Sequence, residues 1–352
     1  KVSRLRHPHA MSFLFGSKNK QRTPSELVRK ATDALQALRR AEGPPQATVT
    51  EHARKYVALV KAALYGTDEA PVSEEYGRAL LAEACASGGL LELLVTALPR
   101  MDLEVRKEAG ASFARFMRIG AEGGEGVTGL GPAGEYVKQR PSLALELIKG
   151  YESDESPSLA LTSGPMLREC IRHEVVARTV LESPDFDKLF VYVALPNFEV
   201  ASDAFITFKD LLTLHKSLAA EVLDRKYDGF VPAFNNLLTC DNYALRRQAL
   251  KLLADLLLER MNAPVMMRYV ADVRNLVLMM QLLRDSSRTI QFEAFHVFKV
   301  FVANPNKPEP VVQILVANRD KLVNYLAQFQ ADREDEEFLS EKSLISRILG
   351  EL

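Results

Sequence analysis

No apolar run in the 352 residues is long enough to span a bilayer, which argues against a membrane partner. Charge of one sign is also missing. Lys and Arg number 45 against 46 Asp and Glu, so the formal charge of −1 creates no global field that would gather nucleic acid or anionic lipid. Cysteine is scarce: Cys85, Cys170 and Cys240 are far apart, odd in number and set in apolar helical patterns. They exclude a disulfide framework and read as buried thiols in a reducing, cytoplasmic compartment. There is no paired-cysteine zinc spacing and no His-Glu-x-x-His, so neither a metal nor any other cofactor is expected. Tryptophan is absent too, and that alone excludes nothing.

What is present is a repeat. The segments Asn197-Phe-Glu-Val-Ala-Ser-Asp-Ala204, Asn242-Tyr-Ala-Leu-Arg-Arg-Gln-Ala249 and Ser287-Arg-Thr-Ile-Gln-Phe-Glu-Ala294 carry one pattern. Each opens on a polar N-cap residue and places an alanine seven positions on, where a neighbouring helix must come close. The alanines are 45 residues apart, and no strand signal intervenes. A period in the forties predicts an all-α, armadillo/HEAT-like right-handed helical-repeat solenoid. Ala109 and Gly164 fill the alanine's role in two earlier copies, giving steps of 55, 40, 45 and 45 residues. The long first step holds a glycine-rich insert.

The chain is expected to divide into a flexible segment over 1–22 and a single helical-repeat domain over 23–350, with the insert as a loop at 120–134. Residues 1–10 are basic and patternless and read as an extension ahead of a natural start at Met11. Thr23-Pro24-Ser25-Glu26 opens the first helix, with Thr23 as cap and Pro24 in the first turn. Gly43-Pro44-Pro45 ends it, and Gly66 ends the second. A third helix is expected from about Ser73 to Ala86, then a short apolar one within 88–98. The acidic run Asp332–Glu337 reads as a solvated face or linker, and the last helix, with Leu339, Leu344, Ile345, Ile348 and Leu349, as a cap on the stack.

Chemistry is hard to find. The insert satisfies G-x-G-x-x-G twice, at Gly124–Gly129 and Gly129–Gly134. A dinucleotide fingerprint requires a preceding strand; here a helix with Phe113, Phe116 and Met117 comes first, so the flexible-loop reading wins. Cys170 and His173 are three apart and could share a helical face. Nothing supplies the cleft, oxyanion site or orienting group of a nucleophilic pair, so a packed thiol is the stronger reading. His7 and His9 are too few for a metal site, and the acidic run lacks the glycine and terminal carboxylate of a calcium loop. No catalysis is expected.

The informative constellation lies on the repeat helices. On a wheel of about 100° per residue, Leu245, Ala249, Leu252, Leu253 and Leu256 gather on one side. Tyr243, Arg247 and Lys251 fall four apart on the other and form one stripe. Phe198 occupies Tyr243's place in the preceding copy. Solenoids line a concave surface with such helices, and Tyr and Arg dominate protein interfaces. The alternative is that Phe198 and Tyr243 are helix-start staples packed on neighbours. Phosphate tracking by the stripe is weaker, since acids balance the cations along the chain.

Several strings resemble a known family. They are Leu167-Arg-Glu-Cys-Ile-Arg-His-Glu174, Ala201-Ser-Asp-Ala-Phe205, Thr207-Phe-Lys-Asp-Leu-Leu-Thr213 and the run from Gln291 to Lys307, Gln-Phe-Glu-Ala-Phe-His-Val-Phe-Lys-Val-Phe-Val-Ala-Asn-Pro-Asn-Lys. Together they look like the mouse-protein-25-like scaffold family, also called calcium-binding protein 39, over nearly all of residues 11–350. Met11-Ser-Phe-Leu-Phe-Gly16 resembles the start of fungal members. The resemblance implies a non-catalytic scaffold, monomeric when free, that binds a sterile-twenty-like kinase or a STRAD-type pseudokinase and holds it in the active state. Phe198, Tyr243, Arg247 and Lys251 fall on the family's concave contacts. A C-terminal pocket for a Trp-Glu-Phe tail falls on Met280 and Leu283, with Arg260 and Lys321 facing the tail's carboxylates. Ala317 stands where a lysine is expected, which lowers the charge of that pocket. In fungal relatives the implied client is a germinal-centre kinase of polarity, morphogenesis and cell separation, recruited to the cortex or division site by partners. A peptide-cargo adaptor of armadillo type, unrelated to kinases, is the alternative reading.

Overall fold

The computed structural model describes residues 15–16, 20–67, 71–86, 89–121, 131–152 and 156–352, with backbone only up to 21. Most of the expected N-terminal segment, and residues 122–130 of the glycine-rich insert, lie outside the described residues. The chain forms two compact units, Lys1–Leu214 and His215–Leu352. Both are helical; the described residues add only a two-residue antiparallel pairing, Phe15–Gly16 with Lys20–Gln21.

The first unit contains α1 (Pro24–Arg40), α2 (Ala47–Tyr65), α3 (Glu74–Ala86), α4 (Leu90–Thr96), α5 (Leu103–Arg118), α6 (Pro132–Lys138) and α7 (Ser142–Ile148). It continues with α8 (Pro157–Ile171), α9 (Glu174–Glu182), α10 (Asp185–Tyr192) and α11 (Phe198–Thr213). The second contains α12 (Lys216–Arg225), α13 (Tyr227–Thr239), α14 (Tyr243–Leu258), α15 (Ala263–Ala271) and α16 (Val273–Leu282). Then come α17 (Arg288–Ala303), α18 (Glu309–Ala317), α19 (Arg319–Gln328) and α20 (Glu336–Glu351). This is the armadillo-type repeat architecture that the period implies. The short helices α6, α7, α9 and α10 carry no pattern long enough to be read from the sequence.

Local chemistry fixes where the long helices begin. Asn197, Asn242 and Ser287 each accept a hydrogen bond from the amide three residues on, at Val200, Leu245 and Ile290. Asp102 does the same for Val105, and Thr23 for Glu26. Each cap satisfies an amide that the helix cannot, worth about 1 kcal/mol. Gly66 ends α2 at φ 75°, a conformation costly for any residue with a Cβ.

Successive long helices pack on one another: α2 on α5, α5 on α8 and α8 on α11 in the first unit, α14 on α17 and α17 on α20 in the second. Ala109, Ala204, Ala249 and Ala294 are completely buried. Gly164 shows why the position must stay small. A Cβ there would collide with the Asp203 carboxylate and the Tyr151 hydroxyl. Those groups form a largely buried network: Arg168 pairs with Asp203 at 2.7 Å, and Tyr151 donates to Asp203 at 2.6 Å and meets Thr207 at 2.9 Å. Burial beside the Asp203 charge pushes the Tyr151 phenol well above its usual value, so it stays protonated as a donor.

One expectation is corrected. Cys170 and His173 do not share a helical face, because α8 stops at Ile171 and His173 is the residue from which α9 starts. Cys170 is fully buried and its thiol is pushed up by desolvation, the opposite of an activated nucleophile. The acids of the run 332–337 are exposed, in keeping with the solvated-face reading, and their end also starts a helix. Asp335 caps α20 by accepting from Phe338, and Glu336 and Glu337 occupy the first turn, where the helix dipole favours negative charge. In α20 Phe338, Ile345 and Leu349 are buried, whereas Leu339 and Leu344 face outward.

Replacing Gly164 by alanine is expected to destabilise the protein by about 1–3 kcal/mol through overpacking. Equilibrium urea unfolding measures this; a change within 0.5 kcal/mol, the typical range for surface substitutions, would refute the close approach.

Candidate functional site

The stripe read from the wheel is open. Asn242 caps α14 and makes Tyr243 its first residue, which turns Leu245, Ala249, Leu252, Leu253 and Leu256 inward. Tyr243 is 45% exposed, and Arg247 and Lys251 are exposed below it. Phe198, the first residue of α11, is 65% exposed. Neither ring is buried against a neighbour as a helix-start staple would be; both stay exposed.

The neighbouring helix α17 completes the site with residues not foreseen. Arg247 Nε lies 3.8 Å from Glu293 Oε1. The Glu293 side chain is only 12% exposed, and burial raises its pKa while the Arg247 and Lys251 charges oppose the rise. Thr289 and then Ser287, at the start of α17, favour the ionised phenol of Tyr243 and hold its pKa below the usual tyrosine value. The site is therefore a ring, two cations and a half-sequestered carboxylate, set where α14 packs on α17 and joined across that contact by Arg247 and Glu293. Glu293 directly precedes Ala294, as Asp203 precedes Ala204 and Glu108 precedes Ala109. Each of these acids takes a cation from the preceding long helix: Lys61 to Glu108 at 3.8 Å, Arg168 to Asp203 at 2.7 Å, and Arg247 to Glu293. The acid before the small residue was the sequence signal. It escaped notice because Gln248 and Ser163 interrupt it.

The residues assigned to a tail pocket are less concentrated. Met280 is half-buried on α16, beside the fully buried Met279, and Leu283 is buried at the helix end. Tyr325 of α19 donates to the Leu283 carbonyl, so the end of α16 and the middle of α19 meet, one turn from the exposed Lys321. Arg260 is exposed in the 3-10 turn Arg260–Asn262 after α14. Two open grooves of this unit are lined by other residues. One, of about 450 Å³, lies among Leu258, Met267, Val300 and Leu344; the other, of about 680 Å³, among Arg288, Tyr325 and Asp332.

Among the described residues no group of three His, Cys, Asp or Glu is placed to hold a metal ion. No single described helix is long and apolar enough to cross a membrane.

These features define an armadillo-type helical-repeat protein with an exposed aromatic–cation stripe. The family model described as Mo25-like matches residues 13–352. The chain belongs to the Mo25-like family. It is 50% identical to the degreening-related gene dee76 protein of Auxenochlorella protothecoides, covering 85% of this chain and 91% of that one. It is 42% identical to the human calcium-binding protein 39-like protein, covering 96% and 97%. To the conidiophore development protein hymA of Emericella nidulans it is 36% identical, covering 96% and 92%. A designed armadillo repeat protein aligns with a TM-score of 0.44 at 13% identity, over 77% of this chain and 99% of that one. The fold assignment rests on the helices themselves.

Glu293 offers a test of the site's electrostatics. Its folded pKa is raised, so the ionised form costs stability above that pKa, and the cost disappears as pH falls below the ordinary carboxylate value. Glu293→Gln is therefore expected to raise the melting temperature at pH 7 and to lose that advantage at pH 4. Thermal unfolding at the two pH values decides it; a variant less stable than wild type at pH 7 would show that the Arg247 pair outweighs desolvation.

Proposed function

We propose that the protein is a non-catalytic scaffold for a sterile-twenty-like or germinal-centre kinase, or a STRAD-type pseudokinase. The open stripe of Tyr243, Arg247 and Lys251 carries this reading, because α14 packs through its apolar face and leaves a ring and two cations together at the surface. Phe198 presents a second ring of the same kind. Membership of the family agrees, and none of the relatives named above bears the name of an enzyme. A rigid surface favours the active kinase state only by binding it more tightly than the inactive one. Glu293 then serves to hold Arg247 in place until a partner's acidic group replaces it. A tail of Trp-Glu-Phe type docks near Met280 and Leu283, with Lys321 and Arg260 meeting its carboxylates. The protein acts as a monomer in the cytoplasm, without nucleic acid or membrane as partner. The name of the Emericella relative supports a role in morphogenesis.

Arg247→Ala or Tyr243→Ala is expected to weaken kinase binding by more than about 1 kcal/mol with helicity unchanged. A pull-down with a kinase assay, run with and without the protein, tests this; unchanged binding and unchanged activation remove the stripe from the function. Met280→Ala is expected to abolish binding of a Trp-Glu-Phe peptide in a fluorescence titration, and equal affinities for wild type and variant would refute the tail pocket.

A further inference from the structure

The glycine-rich insert plays no part in the proposed function, yet its base frames a distinct feature of the first unit. The two ends of the insert lie against each other. A Cβ on Gly131 would sit 2.8 Å from the Ile119 carbonyl oxygen, and one on Gly120 would meet Pro132. Gly120 itself has φ +70° and follows the end of α5. Next to this closure is a pocket of about 160 Å³ between α3 and α5.

Three arginines line it, Arg78 from α3 and Arg115 and Arg118 from the last turn of α5, together with one acid, Glu74. Their states differ. Arg118 gives Nε to Glu169 at 2.9 Å and Nη2 to the same oxygen. Arg78 pairs at 3.1 Å with Glu74, but both side chains are at least 70% exposed, so the pair is weak and easily exchanged. Arg115 is half-buried and has no ion-pair partner among the described residues. Cations in the last turn of α5 also complement the helix dipole, which accounts for Arg115 and Arg118 in isolation. It does not account for Arg78 arriving from another helix, nor for the cavity between them. Leu64, Val72 and Ile119 supply apolar walls to the same space.

A planar guanidinium matches a phosphate oxyanion with two parallel donors, and several together are the usual chemistry of phosphate recognition. The volume suits one such group, and the apolar walls suit the carbon side of an ester. We propose that this pocket binds a phosphate monoester, namely the phosphorylated side chain of a serine or threonine in a partner protein. Arg115 is the primary contact, Arg118 offers its remaining Nη1, and Arg78 turns from Glu74 to the ligand. None of these residues belongs to the stripe on α14, so the inference stands independently of the kinase reading.

Isothermal titration of the full chain with N-acetyl-O-phosphoserine amide, with inorganic phosphate and with N-acetylserine amide tests it. The phosphoserine probe is expected to bind and the unphosphorylated one not. Arg115→Gln should weaken the phosphoserine probe by roughly ten-fold or more, as loss of a charge-assisted pair implies. Glu74→Gln, which removes the competing carboxylate, should tighten it. Arg78→Gln on the exposed rim gives a second loss-of-binding variant should Arg115→Gln fail to fold, with far-UV circular dichroism as the control. Equal affinity for inorganic phosphate and the ester would overturn the assignment to a phosphorylated side chain. No binding by either, or binding unchanged in both arginine variants, would overturn the site.

Discussion

Close approach between successive long helices is the constraint from which the remainder follows. It is met at one position per repeat, by Ala109, Gly164, Ala204, Ala249 and Ala294, and a side-chain cap seven residues earlier sets the rotation of four of the five helices. Once a small residue faces the neighbour, helical geometry decides every other direction. Leu252, Leu253 and Leu256 go to the core, whereas Tyr243, Arg247 and Lys251 have nowhere to go but outward. The exposed stripe is thus a by-product of packing: the apolar face of α14 makes the core, and the ring and cations are left at the surface, with Arg247 touching α17 through Glu293.

That division explains what could be read in advance. The repeat, its caps and the stripe are local properties of short segments, and the period of 45 residues aligned them. Glu293 and Thr289 were not legible as parts of the site. Their role arises only when α17 lies beside α14, and charge at the position before the small residue alternates with Ser163 and Gln248. The break between Cys170 and His173 was missed for a related reason. The apolar pattern runs through Ile171 into Val176 and Ala177, and only the end of the α8 backbone separates them. The helices α6, α7, α9 and α10 are too short to show a period of their own.

Electrostatics separates interior from surface along the same ladder of acids. Asp203 is fully engaged by Arg168 and Tyr151, so removing any one member would strand a buried polar group. Glu293 has the same register but a looser cation at 3.8 Å, and Arg247 remains more than half exposed. An acid that completes its pairing internally rigidifies the stack. One that pairs incompletely keeps a guanidinium poised and still available to another molecule. The same position in the repeat thus yields a tight, half-buried pair in one copy and a loose, more open one in another.

The meeting of Gly120 with Gly131 has an engineering corollary. Because Gly131 lies against Ile119–Ala121, and Gly120 against Pro132, any chain between them begins and ends at one point of the first unit. Each doubling of such a loop adds only about 0.6 kcal/mol of closure entropy. A reporter domain or affinity tag spliced between Gly120 and Gly131 would therefore have its two ends held close together.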